Sequence, residues 1–534
     1  MPRVVWQGDG VENVWDATTA NWSGEALYSD GSEVMFDDTG SASPAVTIPA
    51  AGVRPGLVAV SADSKEYAFT GGPIAGTTEV VKSGAAPFVI SNDWTFAGNY
   101  NMLGGKTTLA GRFNGPSIVA NGTASLVQTK TSKISGENIE ISLAHGKHAL
   151  MGTNDFTGSV TLDASAISTP NTSFEYCIFN PRTFGFATNV TLAPKYENVE
   201  AYTYLRWSNS VDVAKETALS VRRFGEVRWA ALALPNNVNG AWRGDIRAVG
   251  QGVDPGLAFY SQWVGACTLK VGTLGETVVA GFGEQRFRGA GTIRFYSRFE
   301  CPESYAAPND GTTLYFYAPG NVFRTFHIGY GRVCPMTNFA FSATTAIGMG
   351  KDSLTWGGKH WADFDLNGTT QTVASVNETN IGKGGYRRIT STLPATLVVS
   401  GAVNCAFGSA STNGNGYITG AVSIVKDGTS TWTLNGTNTF TGTVTVKGGT
   451  LCANSAKALP ETTTLTIGAA DGSAGVLKLD KDQTVSYLCI GDKCKAKGVY
   501  GGPDSNAPRK LACFAGTATL TILREIGGTM LIFR

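Results

Sequence analysis

Arginine and tyrosine side chains recur at short spacing in the middle of the chain, between about residues 175 and 345. Arginine forks bind carboxylates and sulfates, and tyrosine rings stack on sugar rings. This combination is therefore typical of a surface that binds an acidic glycan. The candidate ligand-binding residues are Tyr202, Tyr204, Arg206, Arg228, Arg294, Tyr296, Arg298, Tyr315 and Tyr317.

Alternation of apolar and polar residues predicts how these side chains are positioned. In a strand, successive side chains point to opposite faces, so buried positions such as Ile293 and Phe295 turn Arg294 outward. The same pattern turns Tyr315 and Tyr317 outward. Arg206 and Arg228 are 22 positions apart, and Tyr296 and Tyr317 are 21 apart. If each interval corresponds to one turn of a coiling chain (one coil), these side chains form ladders along one lateral face. The alternative is that the arginine stems only cover apolar surface and stack on aromatic rings.

No spacing of carboxylates or bases indicates a catalytic site. A glycosidase needs two carboxylates about 5–9.5 Å apart, and a lyase needs a positioned base. The acidic candidates in the middle of the chain are Glu226, Asp245, Glu284 and Glu300, and no pair among them stands out. Hydrolase, metalloprotease and phosphate-binding motifs are absent from the sequence. We therefore assign no catalytic residue.

His360 lies close to Asp363 and Asp365, which suggests a metal site or an acid–base pair. A single histidine without a second one nearby is weak evidence for a metal ligand. The two aspartates alternate with Phe364 and Leu366, so we expect them to be solvated strand residues. No metal and no cofactor is predicted.

Composition favours an all-β chain built from short strands and turns. Glycine makes up 67 of the 534 residues, which is nearly twice the typical share of about 7%. Charged residues make up 16%, below the typical share of about 25%. The net charge of +1 argues against a nucleic-acid partner. No apolar run of about 18 residues exists, so no transmembrane helix is predicted, and the first residues do not form a signal peptide. We expect the mature form of a secreted protein, with a cytoplasmic protein as the alternative.

Internal repeats connect distant parts of the chain. LMGTNDFTGSVTL (150–162) matches LNGTNTFTGTVTV (434–446), and VVKSGAAPFVI (80–90) matches IVKDGTSTWTL (424–434). In a repeat of roughly 20–25 residues per coil, the phenylalanines would face inward and the asparagines would occupy corners, bonding to their own backbone. The structural repeat residues are Phe156, Gly158, Trp432, Asn438, Phe440 and Gly442.

Residues 425–460 resemble the autotransporter-associated β-strand repeat of bacterial passenger proteins. This resemblance implies a right-handed parallel β-helix that is secreted or exposed on the cell surface. Residues 1–40, with Trp6, Trp15 and Trp22, resemble the opening module of such proteins, which is either a cap or a sugar-stacking platform. The end of the chain resembles their terminal cap through Gly498, Tyr500, Gly501, Phe514 and Gly516. No membrane barrel is expected after it.

These observations predict a β-solenoid with a Trp-rich cap module at 1–44, repeats at 45–460 and terminal coils with a cap at 461–534. The repeats are irregular at about 175–345. The predicted function is that of a non-catalytic extracellular or cell-surface scaffold or adhesin that binds acidic glycans. The alternative is a polysaccharide-degrading β-helix enzyme. Most of the nine cysteines are expected to fill the core, and the pairing of Cys489 with Cys494 is left open.

Overall fold

Nearly all regular elements of the computed structural model are β-strands. The structure describes residues 3–76, 79–144, 147–164, 174–193, 202–214, 216–222, 229–235, 237–249, 257–261, 268–271, 273, 277–279, 285–288, 292–295, 298–308, 312–350, 361–378, 385–411, 414–468 and 475–525. Within these ranges the helical element is the 3₁₀ turn Ser23–Glu25, and no helix is long and apolar enough to cross a membrane.

The chain forms two compact units. The first comprises Met1–Tyr260, Ala266–Thr273 and Val279–Gly281, and the second comprises Ser261–Gly265, Leu274–Val278 and Phe282–Arg534. Two short strands in these boundary stretches are Leu257–Ser261 and Thr277–Val279.

The strands of the first unit pair in parallel ladders, because each turn of the chain lays its strands beside those of the preceding turn. One ladder consists of Arg3–Val5, Glu33–Phe36, Leu57–Val60, Glu79–Lys82, Asn99–Met102, Ser117–Ala120, Ile139–Leu143, Thr157–Asp163, Phe186–Ala193, Ala218–Arg222 and Ile246–Val249. A second consists of Ala45–Ile48, Tyr67–Gly71, Phe88–Ile90, Lys106–Leu109, Ser125–Gln128 and Ala149–Leu150. A third consists of Ile74–Gly76, Trp94–Phe96, Arg112–Asn114 and Lys133–Ser135. Two shorter ladders follow: Phe174–Ile178, Tyr202–Trp207 and Trp229–Leu234, and then Asp212–Val213, Gly240–Trp242 and Thr268–Val271.

Paired residues in the first ladder give the length of each coil. Val58 pairs with Val80 and Val80 with Tyr100, so the paired positions lie 22 and then 20 apart in sequence. Further along, Val160 pairs with Val190, which lies 30 positions later. The spacing expected from the sequence therefore fits the first coils of this ladder and not its last ones. The later coils are longer because residues are added between strands that stay paired.

The second unit contains further parallel ladders. The first consists of Gln285–Arg288, Arg298–Pro308, Val322–Ile328, Ala346–Met349 and Ser375–Glu378. The second consists of Thr292–Phe295, Thr312–Phe316, Gly331–Pro335, Trp361–Asp365, Gly385–Thr390 and Gly414–Gly420. The third consists of Thr370–Val373, Ala395–Val399, Val422–Lys426, Val444–Val446, Thr464–Ile467 and Tyr487–Ile490. The fourth consists of Cys405–Phe407, Thr431–Leu434, Thr450–Ala453, Val476–Leu479 and Phe514–Ala515. Thr439–Phe440 pairs with Gly414–Gly420 in parallel.

Antiparallel pairs occur in a few places in the second unit. Ser409–Ser411 pairs with Gly414–Gly420, and Lys493–Cys494 pairs with Tyr487–Ile490. A disulfide joins Cys489 to Cys494 across the latter pair, which answers the question that the sequence left open. The last sheet mixes both directions and consists of Gln483–Val485, Thr519–Ile522, Gly498–Gly501 and Arg509–Lys510. The described chain is therefore all-β with mostly parallel pairing, the arrangement of a β-solenoid.

The repeat residues lie at equivalent places in the two units. Phe156 and Phe440 are both fully buried. Gly158 and Gly442 lie two residues after them and approach the preceding coil closely. A Cβ atom on Gly158 would lie 2.2 Å from a carbonyl oxygen of that coil, and a Cβ on Gly442 would lie 2.3 Å from one. No side chain fits there, which explains why the repeat has glycine at this point.

The repeat asparagines connect neighbouring coils. Asn438 accepts a hydrogen bond from the Ile418 N–H at 2.8 Å and donates one to the Ala458 carbonyl at 2.8 Å. Asn154 accepts from the Ile134 N–H at 2.9 Å and donates to the Thr183 carbonyl at 3.0 Å. These bonds differ from the expected bonds of each asparagine to its own backbone. They satisfy backbone groups of the coils before and after.

Three tryptophans are buried at the start of the first unit. Trp6, Trp15 and Trp22 are 0–1% exposed. Trp6 and Trp22 pack edge to face with ring centroids 5.0 Å apart, and Trp15 contacts Phe36 at 5.3 Å. Because their rings are enclosed, they offer no open face for a sugar, and the sugar-stacking alternative for these residues is wrong.

The match between residues 80–90 and 424–434 aligns two buried lysines that make equivalent contacts. Lys82 is 0% exposed, and its ammonium donates hydrogen bonds to the carbonyl oxygens of Ser83, Gly84 and Gly104 at 2.6, 2.9 and 3.3 Å. Lys426 is also 0% exposed and donates to the equivalent carbonyl oxygens of Asp427, Gly428 and Gly448. Each ammonium thus holds together the turns of two successive coils.

The contribution of Lys82 to the stability of the protein is expected to rise as the pH increases from about 8 to 10.5, because burial lowers the pKa of Lys82 to about 8, and the charge of Asp63 opposes this only in part. The folded protein then binds this proton less tightly than the unfolded chain, in which the pKa of lysine is about 10.5. Urea unfolding across this pH interval would measure the rise. Lys82→Met should remove part of it, and Lys106→Met, at an exposed position, should not. An equal rise of the unfolding free energy with pH in both variants would contradict the expectation.

Candidate functional site

The strand Tyr202–Trp207 carries the first group of predicted ligand-binding residues. Thr203, Leu205 and Trp207 are buried, while Tyr204 and Arg206 are partly exposed on the opposite face. Arg206 donates two hydrogen bonds to the carboxylate of Glu175 in the preceding coil, at 2.8 and 2.9 Å. Its charge is therefore already paired with an acid on this face.

The spacing expected for the first ladder of arginines is wrong. Arg206 pairs in register with Cys177 and with Ala233, which are 29 and 27 positions away. The coil at this point is thus longer than the 22 positions that separate Arg206 from Arg228. Arg228 itself, like Tyr296 and the side chain of Tyr202, lies outside the part of the chain that the structure describes.

The second group forms a contact cluster in the second unit. Arg294 pairs in register with Tyr315, and its guanidinium carbon lies 5.3 Å from the centre of the Tyr315 ring. Its Nη1 donates to the Tyr317 hydroxyl at 3.4 Å, and its Nε is buried without a hydrogen-bond partner. Arg298 donates from Nε to the Gly320 carbonyl at 2.9 Å. The described contacts of Arg294 are therefore with two tyrosines.

Asp363 and Asp365 are not solvated, contrary to the expectation from the sequence. They are 4% and 6% exposed. Arg388 donates to both oxygens of Asp363, from Nε at 2.9 Å and from Nη2 at 2.7 Å, and Arg332 pairs with Asp365. The guanidinium groups of the neighbouring coils cover the carboxylates, which alternation within one strand cannot predict. His360 lies outside the described residues.

These ion pairs belong to a grid of outward side chains. Arg332 pairs in register with Asp363, Asp363 with Arg388, and Arg388 with Tyr417. Two positions to the side, Trp361 pairs with Tyr386. We call this surface the aromatic–charged face, and it consists of Tyr330, Arg332, Trp361, Asp363, Asp365, Tyr386, Arg388 and Tyr417.

Aromatic rings line one side of this face. The Tyr330 and Trp361 rings meet at 88° with centroids 5.7 Å apart, and the Tyr386 and Tyr417 centroids are 6.5 Å apart. The guanidinium of Arg388 lies 5.3 Å from the centre of the Tyr386 ring. All four rings are partly exposed. This side was not predicted from the sequence, although an aromatic residue two positions before a charged one recurs at Tyr330, Trp361 and Tyr386.

Burial and the ion pairs shift the pKa values of several groups on this face. Burial raises the pKa of Asp363, and the hydrogen bonds from Arg388 oppose the rise. The hydrogen bond to Asp363 in turn raises the pKa of Arg388. Burial raises the pKa of Cys334, which lies beside Arg332, to about 12, so its thiol is not a nucleophile at neutral pH. Both oxygens of Asp363 are engaged, which leaves it poorly placed as a general acid.

Other acidic candidates form no cluster in the part of the chain that the structure describes. Asp245 lies in the first unit, where its carbonyl accepts a hydrogen bond from the Leu219 N–H. Glu226 and Glu284 lie outside the described residues, and only the backbone of Glu300 is described, in the strand Arg298–Pro308. Among described residues, no group of three His, Cys, Asp or Glu side chains could hold a metal ion.

One known family matches part of the chain. The passenger-associated-transport-repeat family matches residues 424–451, a segment that includes Lys426, Trp432, Asn438 and Phe440. No curated protein and no solved structure is significantly similar to the chain. Residues 424–451 are thus a repeat of the kind found in autotransporter passenger regions.

Proposed function

We propose that this protein is a non-catalytic passenger-type β-solenoid that acts as a scaffold or adhesin at the cell surface and binds acidic glycans. The passenger repeat at 424–451 suggests a secreted β-helical region. The disulfide between Cys489 and Cys494 supports this location, because such bonds persist in oxidising compartments.

The proposal includes a right-handed coil and capping segments at 1–44 and 461–534. Support for the first cap comes from Trp6, Trp15 and Trp22, which enclose apolar surface at the start of the first unit. Support for the second comes from the mixed sheet that contains Gly498–Gly501, because antiparallel strands interrupt the parallel ladder there.

One observation carries the glycan proposal. Arg294 is held between the Tyr315 ring and the Tyr317 hydroxyl on an outward face. A guanidinium in this setting keeps donors for a carboxylate or sulfate, and the adjacent ring offers a surface for the sugar. Arg298 lies four residues further along the chain, in the following strand Arg298–Pro308. Arg206 contributes less, because Glu175 neutralises it.

Binding of acidic oligosaccharides to the full chain tests the proposal. A galacturonate tetramer and a heparin tetrasaccharide should bind at low salt and more weakly at physiological salt, because ions screen exposed charges. Arg294→Ala combined with Arg298→Ala should weaken binding about fivefold or more, since each exposed ionic contact contributes up to about 1 kcal/mol. Arg112→Ala, an exposed arginine of the first unit, is the matched control.

Two results would contradict this proposal. One is the absence of acidic-glycan binding at low salt, and the other is binding that the double substitution leaves unchanged. Release of unsaturated or reducing sugar ends during the same measurement would instead identify a polysaccharide-degrading enzyme.

A further inference from the structure

The aromatic–charged face differs from the Arg294 cluster in its charge. Its two arginines, Arg332 and Arg388, are each paired with an aspartate, so the four groups together carry no net charge. The Arg294 cluster instead contains an arginine among tyrosines. The two surfaces therefore suit different ligands although they lie on the same sheet.

The charges of the arginines on this face are already balanced by aspartates. Asp363 and Asp365 are 4% and 6% exposed, so an acidic sugar that drew Arg388 or Arg332 away would leave a buried carboxylate without its partner. Breaking a buried pair in this way is strongly unfavourable. An anionic ligand would thus compete against two internal carboxylates that are already in place.

The same pairs suit sugar hydroxyl groups. Arg388 uses Nε and Nη2 for Asp363, so the N–H groups of its Nη1 remain available as donors. Arg332 uses Nη2 for Asp365, and its side chain is 42% exposed. The ion pairs fix these donors in position before a ligand arrives.

The rings beside the ion pairs pack edge to face and leave part of their surface open. Tyr330 and Trp361 meet at 88° with centroids 5.7 Å apart, and both are partly exposed. The exposed part of these rings offers an apolar surface to the C–H face of a pyranose. Tyr386 lies in the next coil in register with Trp361, which continues the aromatic surface along the stacking direction.

We propose that the aromatic–charged face binds a neutral pyranose unit of a glycan, with the sugar ring against Trp361 and Tyr330 and its hydroxyl groups on the free N–H groups of Arg388. This site is separate from the Arg294 cluster and does not rest on the acidic-glycan proposal. Since the aromatic residues follow one another from coil to coil, the glycan would lie across the strands.

Isothermal titration of the full chain with uncharged tetrasaccharides of glucose, mannose, xylose and galactose tests this inference. At least one should bind, with an affinity that high salt leaves unchanged. Trp361→Ala should weaken that binding about tenfold, which corresponds to the loss of a stacked aromatic ring. Trp361→Phe should retain most of it. Tyr487→Ala, a partly exposed tyrosine elsewhere in the second unit, is the matched control.

A second variant distinguishes a local loss of binding from a loss of folding. Tyr386→Ala lies one coil away and should weaken binding of the tetrasaccharide while Arg294→Ala leaves it unchanged. The inference is overturned if none of the four neutral sugars binds, or if Trp361→Ala and Tyr386→Ala both bind as tightly as the unaltered protein. Loss of acidic binding in Arg294→Ala, with neutral binding kept, would show that the two sites are independent.

Discussion

Replacement of Phe440 with alanine is expected to lower the free energy of unfolding of the second unit by about 3–5 kcal/mol. The side chain is 0% exposed, and its strand pairs with the end of Gly414–Gly420. The substitution leaves a cavity that the closely spaced coils cannot close, since Gly442 already approaches the preceding coil as far as a residue without a side chain can. Urea unfolding followed by intrinsic fluorescence would measure the change.

Limited proteolysis locates this effect. New cleavage should appear around residues 425–460 in Phe440→Ala, because the coil that contains Phe440 opens locally before the unit unfolds. Thr437→Ala is the control, since Thr437 lies in the same coil with its side chain exposed. If Phe440→Ala and Thr437→Ala are cleaved alike, Phe440 does not support the coil as inferred.

Replacement of Asn438 with alanine is expected to cost about 2–6 kcal/mol, because it leaves two buried backbone groups without partners at about 1–3 kcal/mol each. These groups are the Ile418 N–H of the coil before and the Ala458 carbonyl of the coil after. The loss should therefore extend over three coils. Hydrogen exchange would show it as faster exchange of the Ile418 amide.

Asn435→Ala provides the comparison for this effect. Asn435 lies three residues earlier and bonds through its side chain to Asn454 at the surface. Its removal should cost well under half as much and leave the Ile418 amide protected. Unchanged protection of Ile418 in Asn438→Ala would mean that another group satisfies this N–H.

Much of the fold is predictable from local patterns. Short alternating runs such as Thr431–Leu434 predict strands with one buried face, and that strand alternates between partly exposed and buried positions. The match between 80–90 and 424–434 aligns Lys82 with Lys426, and both bind carbonyl groups in the same way. These features depend on residues close in sequence, which is why the sequence reveals them.

Features that depend on neighbouring coils are not predictable in this way. The pairing of Arg206 with Ala233 depends on how many residues the connecting loops contain, and no local pattern fixes that number. Likewise, alternation correctly turns Asp363 away from the core but says nothing about Arg388, which comes from the next coil and covers it. The aromatic–charged face is invisible until the register of four strands is known.

The length of a coil in this protein can vary while the strand pairing of the core stays the same. Val160 lies 19 positions after its partner Ile141 and 30 positions before its partner Val190, yet both steps continue the same ladder. Residues inserted between strands therefore alter what a corner displays without requiring new core contacts. Evolution can diversify such a chain by lengthening single corners, and an engineer could place a foreign peptide epitope at the same points.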